Sequence, residues 1–355
     1  MKNRNSNIEL LRLIAMLMIL LSHSSVHGGF PHENSAIMFN NFFLDAIVLG
    51  NIGVDIFFLI SGYFLCYQTT LNYSALFRLL FQVLFYSIIC YGIHLLIGNN
   101  FVLKEFIPVI LPTIFEEYWF FTAYIIVLLI SPYINTFIKN ANQPTLRNCI
   151  ICIMVLWCII PTFTSQNMYA NKLTSSLLLY MIGAYIKMSH FNWKKYNIML
   201  VTISSVLLFL SSIIIRLLSY KIVFLAPHIN YFYSRTSILS IGISTGIFTI
   251  FVFSKERHNK FINLFASTVF GIYLIHENPF IKNLIWGKLL DNTPFYNSAL
   301  LPVRIIFSVC IVYVTCSIIE LIRKKYIEPL TIQFINKHSK QIKELPFVTD
   351  KTKKN

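Results

Sequence analysis

The sequence predicts an all-α polytopic membrane protein with about ten transmembrane helices and both termini in the cytoplasm. Three observations support this: the composition, the number of apolar runs, and the distribution of lysine and arginine. Hydrophobic residues make up 56% of the 355 residues and charged residues only 12%, whereas about a quarter of an ordinary soluble domain is charged. The mean hydropathy of +0.66 therefore excludes an ordinary soluble globule.

Apolar runs of transmembrane length recur along the chain, separated by charged or Pro/Asn-rich breaks. About 20 mostly apolar residues are needed to cross roughly 30 Å of hydrocarbon as a helix. The first run is interpreted as a retained helix rather than a cleaved signal peptide, because nine more runs follow it. The ten predicted spans are 8–22, 46–66, 75–98, 118–138, 148–164, 174–190, 197–217, 232–253, 262–281 and 301–322.

The distribution of positive charge predicts the orientation of these helices. Cytoplasmic loops of membrane proteins carry the excess of Lys and Arg. With both termini inside, the cytoplasmic segments hold 20 of the 29 basic residues and the outer segments hold eight, while Arg12 lies within the first helix. The bias favours cytoplasmic termini.

The same topology explains the formal net charge of +15, which in a soluble protein would suggest a nucleic-acid partner. Here most of the charge marks the inner leaflet, so no nucleic-acid partner is predicted. Residues 1–330 are predicted to form one transmembrane domain, and residues 331–355 a basic cytoplasmic tail. This tail either contacts anionic lipid or is simply solvated.

The first predicted helix carries ionisable residues, which are costly inside a membrane and therefore suggest function. Arg12 and His23 are eleven residues apart, which returns a helix to within about 20° of the same face and separates them by roughly 16 Å along its axis. Glu9 falls near this stripe. Arg12 would then hold an anionic group near the cytoplasm, and His23 would act as a base at the outer end. Alternatively, Glu9 and Arg12 form a pair that anchors the inner interface, and headgroups solvate His23.

Asp55 lies in apolar surroundings in the second predicted helix, GNIGVDIFFLISGYFL. Its carboxylate either orients an imidazole or accepts a proton from a substrate hydroxyl. It is otherwise neutralised, by protonation or by a structural arginine. The glycines of this helix allow close approach of another helix or a ligand.

Near the outer end of the ninth predicted helix, the segment GIYLIHENPF places His276 and Glu277 on the same side of the membrane as His23. His276 is either a base, a substrate contact, or an interfacial histidine beside Pro279. Trp119, in EEYWFFTAY, either belongs to an interfacial aromatic belt or stacks on a sugar.

The remaining candidate ligands show no metal-binding spacing, so no metal site is predicted. His27, His32 and His94 are left unassigned. Cys149 and Cys152 have CxxC spacing but no evident partner ligands, which favours packed thiols over a redox or metal role.

Several of these motifs together resemble the integral-membrane acyltransferase 3 family, which includes many bacterial polysaccharide O-acetyltransferases. The opening motif is matched by Glu9, Leu11, Arg12 and His23, and a second motif by GVDIFFLISGY, in which Tyr63 replaces the family's Phe. YWFFTAYIIVLLISPYIN resembles the fourth-helix pattern of exopolysaccharide-modifying members, and LLLYMIGAYIK resembles a later one. FGIYLIHENPF resembles the family's Ile-Tyr-Leu-x-His motif. The resemblance spans most of the chain.

The resemblance implies ten helices, a cytoplasmic acyl-CoA donor, an essential outer histidine at His23 and an arginine partner at Arg12. Donor binding is assigned to Arg12, Arg78, Ser61 and Gly62, catalysis to His23 and Asp55, and acceptor or supporting roles to Glu9, Trp119, His276 and Glu277. Many members carry an Arg-x-x-Arg pair between helices two and three. This chain has only Arg78, with alanine at 75 and phenylalanine at 81, which weakens the assignment of Arg78.

These expectations describe an O-acyltransferase of the bacterial cytoplasmic membrane. It would move an acyl group, with acetyl as the expected one, from acetyl-CoA or another acyl-CoA to a glycan or lipid-linked oligosaccharide. The acyl-CoA is a co-substrate, and no bound cofactor is predicted. The rival interpretation is a transporter or flippase for a lipid-linked glycan, which would also have many helices and a few buried charges. Such proteins often show matching interrupted helices in two halves, and this sequence shows none.

Overall fold

The computed structural model describes residues 5–31, 37–164, 166, 168–189 and 191–343. These residues form helices and loops with no strand, which confirms the all-α prediction. His32, left unassigned above, lies outside the described residues. The helices are α1 (Ser6–Val26), α2 (Met38–Ala46), α3 (Gly50–Leu65), α4 (Tyr73–Leu96), α5 (Leu103–Ile110), α6 (Trp119–Asn140), α7 (Gln143–Met154), α8 (Ile160–Thr164), α9 (Lys172–Met188), α10 (Trp193–Ser219), α11 (Ile238–Val252), α12 (Lys260–Ala266), α13 (Val269–His276), α14 (Lys282–Leu284), α15 (Leu301–Tyr326) and α16 (Glu328–Lys343).

Eight helical segments among the described residues are long and apolar enough to cross a membrane. They match eight of the ten predicted spans, so the polytopic prediction is confirmed. The other two predicted spans are also helical, but one is shorter than these eight and the other is interrupted. Helix α9 has 17 residues, or about 26 Å, and the segment Lys260–His276 is divided into α12 and α13 by Ser267 and Thr268.

The outward faces of several helices are apolar and exposed, as a lipid environment requires. On α10, Ile198, Val206, Leu207 and Ile214 are each about half or more exposed. An apolar surface of this extent would be unfavourable in water. The membrane, rather than the protein interior, therefore accounts for the high hydropathy of this helix.

Helix α3 lies at the centre of the bundle. Its glycines let the neighbouring helices approach it closely. A side chain at Gly53 would collide with the backbone of Ala15 in α1, and one at Gly62 with the backbone of Tyr180 in α9. Gly183 of α9 makes the reciprocal contact with Leu59. Small residues at such crossings replace the hydrophobic driving force that lipid does not supply.

The two ends of the bundle are named here after residues of α1. The Arg12 end is the one where α1 begins, and the His23 end is the one where α1 finishes.

The last described helix, α16, packs against α4 and α15, with the Phe334 ring edge-on to Phe81. The predicted domain boundary at 330/331 falls inside this helix. Residues 344–355, the rest of the predicted tail, lie outside the described residues. The cytoplasmic location of both termini stays a prediction.

Candidate active site

Helix α1 carries Arg12 and His23 at opposite ends of the same stripe, as its periodicity predicts. The helix begins after Asn5, whose side chain accepts a hydrogen bond from the Asn7 amide and so satisfies one of the amides left free at a helix start. The Arg12 side chain is 34% exposed and pairs with Glu9 at 3.0 Å. The His23 side chain is only 19% exposed.

His23 contacts a second histidine from α13. Its Nδ1 lies 3.0 Å from Nε2 of His276, and Nδ1 of His276 lies 2.6 Å from the carbonyl oxygen of Ile272. A carbonyl oxygen only accepts, so a neutral His276 carries its proton on Nδ1 and has a lone pair on Nε2. His23 then donates its Nδ1–H to His276, which leaves the lone pair of His23 on Nε2.

Glu277 adds a carboxylate to the same cluster. Its Oε2 lies 2.9 Å from Nδ1 of His23 and 3.5 Å from Nε2 of His27. The first distance would be that of an ion pair if His23 were protonated. Within the described part of the chain, this buried oxygen accepts no hydrogen bond.

A cavity of about 320 Å³ is lined by residues of the Arg12 end and by Tyr273, which lies one turn before His276. Its polar wall includes Glu9, Arg12 and Ser61, together with Lys324 from α15. Its aromatic wall includes Phe120 and Tyr273. The full lining comprises Glu9, Arg12, Met16, Phe57, Ile60, Ser61, Leu79, Phe120, Tyr124, Ala266, Ser267, Val269, Phe270, Tyr273 and Lys324.

Tyr273 separates this cavity from the histidine cluster. It precedes His276 by about one helical turn, and the two rings are 6.3 Å apart. Its side chain is almost fully buried, and among the described residues its hydroxyl has no hydrogen-bond partner. A buried hydroxyl without a partner is costly, so this one is available to a ligand group that enters the cavity.

Arg78 lies beside a second cavity of about 260 Å³, which it lines with Gln82 and Arg323. Leu79 lines both cavities, so they adjoin. The Arg78 side chain is exposed and donates from Nε to the Ser74 carbonyl at 3.2 Å. Arg323, from α15, lies on the same cavity as Arg78, and it is paired with Glu320 and Glu328.

Asp55 is placed against an arginine rather than a histidine. Its Oδ1 accepts from Nε of Arg235 at 2.7 Å, and both side chains are buried. Arg235 also donates to the Lys172 carbonyl and to the Ser176 hydroxyl. Of the two alternatives for Asp55, the geometry matches neutralisation by a structural arginine.

Two other predicted residues have packing contacts that account for them without a ligand. Gly62 lies against the backbone of α9, as described above. The half-buried Trp119 ring has the Lys172 ammonium 4.5 Å from its centroid and the Arg235 guanidinium 5.7 Å away. The Lys172 and Arg235 cations therefore lie near the Trp119 ring, which was also a candidate for stacking on a sugar.

Three residues at the site are not among those predicted from the sequence. Tyr273 belongs to the quoted motif GIYLIHENPF but is not singled out, and Lys324 is counted only as a cytoplasmic charge. His27 is left unassigned although it follows His23 by four residues, a spacing that places both on one helix face.

Comparison with known protein families agrees with these features. A family model described as an acyltransferase domain matches residues 5–320. No curated protein and no solved structure shows significant similarity to the chain.

Proposed function

The chain belongs to the acyltransferase 3 family, and on that basis we propose that it moves an acyl group, specifically acetyl, from acyl-CoA to a hydroxyl of a cell-surface or lipid-linked polysaccharide. It is a membrane acyltransferase; the donor, the acyl group and the acceptor are the proposal. The observation that carries the proposal is the His23 imidazole, whose Nδ1 lies 3.0 Å from His276 and 2.9 Å from Glu277.

His23 acts through Nε2. This nitrogen takes the proton of the acceptor hydroxyl while the hydroxyl oxygen attacks the thioester carbonyl carbon. The C–S bond then breaks, and the imidazolium returns the proton to the leaving thiolate. In the alternative route, Nε2 attacks the thioester carbonyl carbon, the C–S bond breaks and the thiolate leaves. The acceptor hydroxyl then attacks the acyl-histidine, the acyl–nitrogen bond breaks to restore the imidazole, and the proton of the hydroxyl passes to the thiolate. The negative Glu277 stabilises the positive charge on His23 in either route.

The donor enters at the Arg12 end, where Arg12 and Lys324 line the cavity with positive charge. Arg78 and Arg323 line the adjoining cavity. Phosphate groups are bound well by arginine and lysine, so the nucleotide part of an acyl-CoA would remain at this end. The acyl thioester would then occupy the aromatic part of the cavity, and it would have to pass Tyr273, which lies between this cavity and the histidines, to reach Nε2 of His23.

Replacing Arg12 with glutamine is expected to raise KM for the acyl-CoA with a smaller effect on kcat. A hydrogen bond to a charged group contributes about 1.5–3 kcal/mol, which corresponds to about 10- to 100-fold in KM. Steady-state rates of the purified protein in lipid would measure this change. Lys139→Gln, which removes a charge at the end of α6 away from the cavity, serves as the control. A change in kcat alone would contradict donor binding by Arg12.

Tyr273 is proposed to donate a hydrogen bond to the thioester carbonyl oxygen as negative charge develops there. Replacing Tyr273 with phenylalanine removes only the hydroxyl, and loss of one such donor lowers kcat by about 10²–10³-fold in other enzymes. We expect a decrease of that order in the rate of acyl transfer, with donor affinity retained.

Tyr313→Phe is the matched control, since the Tyr313 hydroxyl is also buried without a hydrogen-bond partner in the described residues but does not line the cavity. Equal rates for Tyr273→Phe and the wild type would exclude this role for Tyr273.

The acceptor is proposed to reach His23 from the opposite end of the bundle. Two features support a glycan acceptor: the partly exposed histidine cluster at that end, and the resemblance of several segments to exopolysaccharide-modifying members of the family. The bacterial cytoplasmic membrane is the proposed location.

A further inference from the structure

We propose that His23, His27 and Glu277 form a binding site for a divalent transition-metal ion of the zinc class, and that the bound ion inhibits acyl transfer. The binding site itself is independent of the proposed function. The inhibition rests on the proposed role of His23.

The three ligand atoms already lie close together. Nδ1 of His23, Nε2 of His27 and Oε2 of Glu277 all lie within 4.8 Å of one another. Zinc binds its ligands at about 2.1 Å, which sets tetrahedral ligand atoms roughly 3.4 Å apart. The two distances from Glu277, 2.9 Å and 3.5 Å, are on either side of this value. Small rotations of the side chains would therefore complete the geometry.

The Glu277 carboxylate adds a second observation. Its buried Oε2 lies against both imidazoles, yet among the described residues it accepts no hydrogen bond, although a buried carboxylate oxygen normally does. A cation between the two imidazoles would coordinate it. Two histidines and one carboxylate are also a familiar zinc ligand set, which leaves a fourth position for water.

The chemistry of the donors selects the class of metal. Two of the three ligand atoms are imidazole nitrogens, which suit zinc and its neighbours, whereas calcium and magnesium prefer oxygen ligands. The side chains of His23, His27 and Glu277 are 19%, 25% and 11% exposed, so an ion can reach them from the His23 end. His276 adds a further nitrogen, Nε2, 3.0 Å from Nδ1 of His23.

Metal binding and base catalysis need opposite tautomers of His23. A metal ligand must present a lone pair at Nδ1, whereas the proposed base keeps its proton on Nδ1 and its lone pair on Nε2. Binding of the ion at Nδ1 therefore moves the proton to Nε2, where it blocks removal of the acceptor's proton. Release of the ion restores the hydrogen bond from His23 to His276.

Metal binding can be tested without any acyl donor or acceptor. The whole protein, purified with a tag that contains no histidine and reconstituted in lipid nanodiscs, would be titrated with Zn²⁺ against a chromophoric chelator. Co²⁺ would then be added in place of Zn²⁺ to record the visible spectrum of a tetrahedral site. We expect one ion per chain for the wild type.

The variants H27Q and E277Q are expected to lower Zn²⁺ affinity by at least about tenfold and to abolish the Co²⁺ spectrum. His228→Gln is the control, because His228 lies in the turn after α10 and, within the described residues, its ring nitrogen bonds to the Phe224 carbonyl of the same turn. Size-exclusion profiles would confirm that each variant is folded. Wild-type affinity in H27Q and E277Q would overturn the site.

Inhibition is tested separately. Zn²⁺ is expected to stop acyl transfer by the wild type and a chelator to restore it. Transfer that continues with one Zn²⁺ bound per chain would overturn the inhibitory role. If the wild type transfers no acyl group even with chelator present, the proposed function fails, and the binding titration still decides the metal site.

Discussion

Replacing His23 with alanine is expected to lower the rate of acyl transfer by about 10³-fold or more. A positioned base commonly contributes about 10²–10⁴-fold, and His23 would carry this role alone because His276 is fully buried and already bonded on Nδ1 to Ile272. Initial rates with membranes containing equal amounts of each protein would measure the loss.

His228→Ala is the matched control for His23, since it removes a histidine from outside the cluster. Glu277→Gln keeps the size of the side chain but removes its charge, and a smaller loss than that of His23→Ala is expected. A His23→Ala protein with the rate of the control would show that the chemistry occurs elsewhere.

Replacing Asp55 with alanine is expected to lower the free energy of unfolding by about 3–5 kcal/mol. That is the usual effect of removing one partner of a buried ion pair, because the other charge is left buried and uncompensated. Here the remaining charge would be Arg235, whose side chain is only 6% exposed. Denaturation of the purified protein in mixed micelles would measure the change.

Two comparisons make this prediction specific. The double variant Asp55→Leu with Arg235→Met removes both charges and is expected to recover much of the stability. Glu9→Ala breaks the partly exposed pair with Arg12 and is expected to cost about 1 kcal/mol or less. If Asp55→Asn abolished transfer without loss of stability, Asp55 would have the chemical role that the sequence analysis assigned to it.

The sequence predicts the fold class and the alignment of Arg12 with His23 along α1, because both follow from patterns within single helices. Composition and apolar runs indicate the all-α membrane fold, and helical periodicity relates Arg12 to His23. The two predicted spans that do not form one long crossing helix are α9 and the α12–α13 segment. Hydropathy alone does not show that α9 ends at Met188 or that Ser267 and Thr268 interrupt the other segment.

Contacts between distant helices could not be predicted in this way. Asp55 and Arg235 are 180 residues apart, so the sequence indicates a buried carboxylate that needs a partner but not which partner it has. The same limit explains why Lys324 and Tyr273 were missed. Each acquires its place at the cavity only when α13 and α15 pack against α1 and α4.

The cavity bears on the proposal for the two candidate functions. A flippase would need a path for a large glycan, whereas the cavity lined by Arg12, Phe120 and Tyr273 has a volume of about 320 Å³. We take this volume as support for the acyltransferase proposal.

The most direct test follows the acyl group itself. The purified protein in lipid would receive acetyl-CoA labelled in the acetyl group together with candidate lipid-linked glycans, in the presence of a metal chelator. We predict that the wild type transfers label to glycan hydroxyls and that His23→Ala does not. Glycan that crosses the bilayer without gaining label, or equal labelling by both proteins, would contradict acyl transfer through His23.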